Sequence, residues 1–161
     1  MIWQDLATRV IEGEKITKDQ ALEIVGASPD ELLDVLHAAF RIRQLHYGRK
    51  VHLHVLRNAR SGICPEDCRF CSQSSAYNTG VEDYPMQTVD SLLEGARAAH
   101  DSGAARYCMV TATRGPSKKD LDVVCEAVRQ IKEEFPKMEL CTSLGLLTEP
   151  KAQRLKDAGV D

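Results

Sequence analysis

No stretch of this 161-residue chain approaches the ~20 apolar residues that a membrane-spanning helix needs. The N-terminal run Met1-Ile2-Trp3-Gln4-Asp5 has neither the basic nor the apolar segment of an export signal, so a cytoplasmic protein is expected. An excess of one charge is missing too. A net charge of −3 gives no reason to expect nucleic acid or an anionic membrane as a partner. Internal repeats and low-complexity segments are also absent. In ordinary supply are hydrophobic residues (43%) and charged residues (28%), enough for a globular domain with a core. The six cysteines stand out in a chain with no export signal. In a reducing compartment, clustered cysteines point to metal or redox chemistry rather than disulfides.

The first fifty residues read as helices. Thr17 and Gln20 form a capping-box pattern ahead of Ala21, Leu22, Ile24 and Val25. Ser28-Pro29-Asp30-Glu31 is a second start signal, and the helix it opens ends near Tyr47-Gly48. From Val51 the pattern changes. Val51, Leu53 and Val55 alternate with His52, His54 and Leu56, which predicts a strand. Irregular sequence follows to about Gln87. Thr88 then caps a helix with Val89, Leu92, Leu93, Ala96 and Ala99 on one face, stopped at Gly103. Residues 105–111 read as a strand. Ser117 caps a helix with Leu121, Val124, Val128 and Ile131 on one face, and Pro136 ends it. Residues 138–144 are the next strand, Thr148 opens a last helix, and Val160-Asp161 looks like a first step into another strand.

Strand–helix alternation makes a parallel sheet the default. The fold class expected is α/β: the first three βα units of a (β/α)8 TIM barrel, preceded by N-terminal helices. Residues 1–50 form the helical segment and residues 51–161 the start of the barrel. A complete barrel needs ~250 residues. The chain is therefore expected to be the N-terminal part of a longer protein, truncated before the fourth strand and inactive alone.

Cys64, Cys68 and Cys71 stand in the run Cys64-Pro65-Glu66-Asp67-Cys68-Arg69-Phe70-Cys71. The run lacks a fourth ligand. A structural zinc site normally closes with four, and so does a four-cysteine iron–sulfur site. Three thiolates on one short loop suit a cubane cluster with one iron left open. Cys108 and Cys141 lie on the second and third predicted strands. Alternation puts Cys108 with Arg106 and Val110, and Cys141 with Glu139 and Ser143. On neighbouring parallel strands the two sulfurs can share one cluster, although free cysteines are more often small buried hydrophobes. Cys125 falls beside the stripe of Leu121, Val124 and Val128 and reads as structural. His52 and His54 share the first strand's face, where hydrogen bonding inside a barrel accounts for them better than ligation.

The three-cysteine spacing, with Phe70 before the third cysteine, resembles the radical S-adenosylmethionine enzymes. The string Ser61 to Ser75, with Tyr77-Asn78-Thr79-Gly80 after it, is similar to the biotin synthase family in particular. Arg106-Tyr107-Cys108-Met109 and Glu139-Leu140-Cys141-Thr142-Ser143-Leu144-Gly145 look like that family's second and third strands. The resemblance implies a sulfurtransferase that converts dethiobiotin to biotin, the last step of biotin biosynthesis. It implies a [4Fe–4S] cluster on Cys64, Cys68 and Cys71 that cleaves S-adenosyl-L-methionine to a 5′-deoxyadenosyl radical. It also implies a [2Fe–2S] cluster, with Cys108 and Cys141 among its ligands, that donates the sulfur. Phe70 matches the aromatic near the adenine of S-adenosylmethionine, and Arg106 a basic residue near the second cluster. An electron donor such as flavodoxin or ferredoxin and a homodimer are the implied partners.

The family's third cysteine and arginine ligand to the second cluster, and its Asn-His-Asn motif, have no counterpart in these residues. Two alternatives remain. One is another radical enzyme on the same barrel, which the cysteines at 108 and 141 disfavour. The other is a non-catalytic zinc-binding module, which the lack of a second cysteine pair disfavours.

Overall fold

A computed structural model describes residues 2–161, which fall into two units that divide between Val51 and His52. The first unit is helical: α1 Ile2–Ile11, α2 Lys18–Val25, a 3-10 turn Pro29–Glu31 and α3 Leu32–Tyr47. Thr17 caps α2 as its sequence predicts. Its hydroxyl accepts from the Gln20 N–H at 3.2 Å, and the Gln20 side chain accepts from the Thr17 N–H at 2.8 Å. At Ser28 the sequence predicts a direct helix start, whereas the chain makes the 3-10 turn first. The Glu31 carboxylate accepts from the Ser28 N–H (3.1 Å) and hydroxyl (2.9 Å), tightening that turn. Trp3, Ala7 and Ala38 form a small buried core with Ile24, Val35 and Ile42 against it.

The second unit alternates strand and helix: β1 His54–Arg60, α4 Val89–Asp101, β2 Arg106–Thr111, α5 Lys118–Glu134, β3 Glu139–Ser143 and α6 Glu149–Ala158. The strands lie in the order β1-β2-β3, all parallel. β1 starts three residues later than the apolar alternation suggests. Its partner strand begins only at Arg106, which pairs with His54, so nothing extends the ladder to residues 51–53 beyond the Leu53 carbonyl. His52 therefore precedes the strand and does not share a strand face with His54.

One face of the sheet is covered by helices. Tyr107, Met109 and Leu140 are fully buried against Leu92 and Ala96 of α4 and Leu121, Val124, Val128 and Ile131 of α5. Each large side chain removed from water here contributes roughly 1.5–3 kcal/mol. Gly95 permits the close approach of α4. A Cβ there would lie 2.6 Å from the Tyr107 hydroxyl, which donates to the Leu92 carbonyl at 3.2 Å. Cys125 is buried in this layer, its Sγ 3.8 Å from the Arg154 carbonyl, as expected of a structural cysteine.

The opposite face is not covered by the helices of this unit. Register stacks it in rows: His54, Arg106 and Glu139, then Leu56, Cys108 and Cys141, then Asn58, Val110 and Ser143. Beyond the third row come the loops at the C-terminal ends of the strands. Past Gly159, the Asp161 N–H donates to the Leu140 carbonyl at 3.0 Å, so the segment lies alongside β3 with one backbone hydrogen bond and no assigned strand.

Candidate metal and cofactor site

The loop after β1 reverses sharply. Gly62 and Ile63 both take positive φ, +71° and +52°. A Cβ on Gly62 would fall 1.5 Å from Asp83 Oδ1, so a side chain there would have to displace the Asp83 carboxylate as well as adopt a positive φ, which favours glycine. Ile63 carries real strain, of order 1–3 kcal/mol for a branched residue in this region. The surrounding bonds hold it. Ser61 and Tyr84 exchange backbone hydrogen bonds at 3.1 and 3.2 Å, closing the base of the loop.

The reversal sends Cys64 inward. It is buried, while Cys68 and Cys71 are exposed, and all three line one cavity of about 380 Å³. The residues after the third cysteine fasten those before it. The Cys64 N–H donates to the Gln73 carbonyl (3.0 Å), and the Ser75 N–H and hydroxyl donate to the Cys64 carbonyl (2.9 and 3.0 Å). The Ser74 hydroxyl donates to the Glu66 carbonyl at 2.7 Å. Gln73 Oε1 accepts from the Ser61 hydroxyl (3.0 Å) and the Gly62 N–H (2.6 Å). The Tyr77 hydroxyl donates to Asp67, and this bond holds the phenol pKa above its ordinary value. The Ser-Gln-Ser-Ser segment thus satisfies the backbone of Cys64 and the carbonyl of Glu66, at the buried root of an otherwise exposed loop.

The cavity is shared with the ends of the other strands, including Asn58, Val110, Thr111, Arg114, Ser143 and Gly145. Thr111 is 7% exposed, and its Oγ1 is buried with no hydrogen-bond partner among the described residues. Three thiols round one cavity fit an iron–sulfur cluster by donor chemistry. No group of three or more His, Cys, Asp or Glu side chains among the described residues converges on a single-ion position.

Cys108 and Cys141 are paired directly across β2 and β3. They sit one row below Val110 and Ser143, about 7 Å along the strand at ~3.3 Å per residue. Burial first, then the hydrogen bond with Cys141, pushes the Cys108 thiol well above its usual range. Without a metal, this thiol stays protonated at neutral pH.

Arg106 lies one row lower and donates to Glu139 at 2.8 Å. His54 is exposed beside it in register. Phe70 is fully exposed and does not line the cavity. Arg57 donates to Gln87 (2.8 Å) and Ser91 (3.0 Å), and Arg60 pairs with Asp120 at 3.7 Å. Arg114 and Thr111 escape the sequence reading. Nothing local marks Arg114, whose partner Glu66 is distant in sequence, or Thr111, whose buried hydroxyl lacks a partner among the described residues.

The sequence profile of the Radical SAM superfamily matches residues 58–161. The chain belongs to the Radical SAM superfamily. Superfamily membership implies S-adenosylmethionine and iron–sulfur chemistry. The chain is 56% identical over 159 residues to biotin synthase of Salinibacter ruber, covering 99% of this chain and 44% of that protein. It is 45% identical over 159 residues to biotin synthase of Bacillus subtilis, again covering 99% of this chain and 47% of the relative. The chain thus spans less than half the length of these relatives. In structure it resembles methylornithine synthase, with a TM-score of 0.79 and 20% identity over 97% of this chain and 45% of that one. That likeness bears on the fold alone, and it agrees with three βα units of a radical SAM TIM barrel. No helix among the described residues is long and apolar enough to cross a membrane.

Proposed function

We propose that this chain carries the cofactor centre of a biotin synthase, the sulfurtransferase that turns dethiobiotin into biotin. The direct pairing of Cys108 with Cys141, one row below the cysteine cavity, is the observation that carries this reading. A [4Fe–4S] cluster on Cys64, Cys68 and Cys71 would supply the electron that cleaves S-adenosylmethionine, and a [2Fe–2S] cluster on Cys108 and Cys141 the sulfur. The protein's part is to hold, orient and shield. The Gly62–Ile63 reversal turns Cys64 into the cavity, and Gln73, Ser74 and Ser75 fix the loop's backbone. Phe70, exposed beside the third thiol, is available to stack on an adenine. Arg106 holds positive charge one row below the thiol pair, shared with Glu139. A cluster held by Cys108 and Cys141, one row below the cavity that the loop thiols line, would put a sulfur donor near the place where a substrate radical would form.

The other expected participants are a low-potential donor such as flavodoxin or ferredoxin and a second copy in a homodimer. Six free thiols support a reducing, cytoplasmic setting. The test is turnover. The complete gene product, reconstituted anaerobically and supplied with dethiobiotin, S-adenosylmethionine and a reductant, is expected to form biotin. Formation of 5′-deoxyadenosine without biotin would instead favour a different radical enzyme on the same barrel.

A further inference from the structure

Three loops meet at the cavity, after β1, β2 and β3, and one residue touches all of them. The Arg114 carbonyl accepts from the Leu146 N–H at 2.7 Å, tying the loop after β2 to the loop after β3. The two backbones are in van der Waals contact. A Cβ on Gly145, at φ +76°, would lie 2.5 Å from the Arg114 carbonyl oxygen, and one on Gly115 would lie 2.8 Å from the Leu146 oxygen. Neither can be accommodated without moving main chain, so these two loops form one firm body.

The Arg114 side chain reaches the other way. Its Nη1 donates to both carboxylate oxygens of Glu66, at 2.9 and 3.1 Å. Glu66 lies between the first two cysteines, and its backbone is pinned by the Ser74 hydroxyl. The cysteine loop therefore has its own internal bonds, and this ion pair joins it to the firm body across the cavity.

We propose that Glu66 and Arg114 form a salt-sensitive latch that sets how tightly the cysteine loop closes over the cavity, with Arg114 as a positioning residue for the group the three thiols hold. The proposal rests on the cofactor reading only for the identity of that group. The pair is solvent-accessible, with side-chain exposures of 65% for Arg114 and 35% for Glu66. Such a pair shifts an equilibrium by only about two- to fivefold and weakens in salt. That is too little to decide the fold, and enough to set the open fraction of a loop.

Cys64 reports the opening, since its thiol is buried, while exposed Cys68 serves as an internal reference. Iodoacetamide alkylation of the reduced, metal-free chain, read peptide by peptide by mass spectrometry, gives both rates. Arg114→Ala and Glu66→Gln are expected to raise the Cys64 rate relative to Cys68 by about two- to fivefold at low salt. The wild-type ratio should climb toward theirs as salt rises, while the variants stay flat. The exchanged pair Glu66→Arg with Arg114→Glu should return the ratio toward wild type, with the melting temperature unchanged throughout. An unchanged ratio in the single variants overturns the latch. So does a falling ratio. Failure of the exchanged pair to restore the ratio overturns it as well. A chain that shows the alkylation pattern but takes up no iron upholds the latch and contradicts the cofactor reading.

Discussion

Thr111 ends β2 with a hydroxyl that hydrogen-bonds to nothing among the described residues. A buried hydroxyl left unpaired costs about 1–3 kcal/mol. Valine has nearly the same shape and the same branching, so Thr111→Val is expected to stabilise the metal-free chain by about 1 kcal/mol in urea unfolding. A loss of stability would mean that the hydroxyl has a partner after all. Gly62 is the opposite case. Its φ is positive, and a Cβ there would have to push the Asp83 carboxylate aside. Gly62→Ala should destabilise the chain by about 2 kcal/mol and leave Cys64 open to alkylation, read by the same urea and labelling measurements. At this scale the sequence was legible where chemistry is written in short spacings. Cys64, Cys68 and Cys71 declare themselves within eight residues. Arg114 does not, because the Glu66 it serves is 48 residues away. Thr111 does not either, because its distinction is a missing partner.

Among elements, caps and stripes carried most of the information. Thr17, Thr88 and Ser117 each accept a backbone N–H at the helix start their sequences mark. The stripe Leu121, Val124, Val128 and Ile131 is the buried face of α5, because a 3.6-residue period leaves a helix only one way to face a sheet. The start of β1 was not legible. A ladder needs a partner, and β2 supplies none to residues 51–53 beyond the Leu53 carbonyl. Two elements also meet through Gly95. A Gly95→Ala methyl would sit 2.6 Å from the Tyr107 hydroxyl, and overpacking of this kind costs about 1–3 kcal/mol, measurable by chemical unfolding. Helices α4 and α5 are further joined by Arg97 and Glu134, with two bonds of 2.8 Å. Those bonds hold the Glu134 carboxyl below its ordinary value of 4.5. The contribution is therefore complete above that value and fades as pH falls through the lowered one. Arg97→Ala should lower the melting temperature at neutral pH, with a deficit that disappears in acid. A deficit independent of pH would contradict the assignment.

Across the whole second unit, the arrangement is one sheet with two different faces. Helices seal one face with apolar side chains, and the other presents polar and thiol rows that lead up to the loops. The strand alternation was readable, and with it the common face of Cys108 and Cys141. Their direct pairing was not, because register depends on where two strands start, and that is set by the loops before them. The direct measurement of the central claim is Mössbauer spectroscopy of the anaerobically reconstituted 161-residue chain and its cysteine variants. Wild type should show the quadrupole doublets of a [4Fe–4S] cluster, with about four irons and four sulfides on the loop site. Cys64→Ala, Cys68→Ala and Cys71→Ala should each lose that signal, while Cys108→Ala and Cys141→Ala keep it. A cluster that survives removal of Cys64, or a colourless chain holding one zinc, would contradict the account.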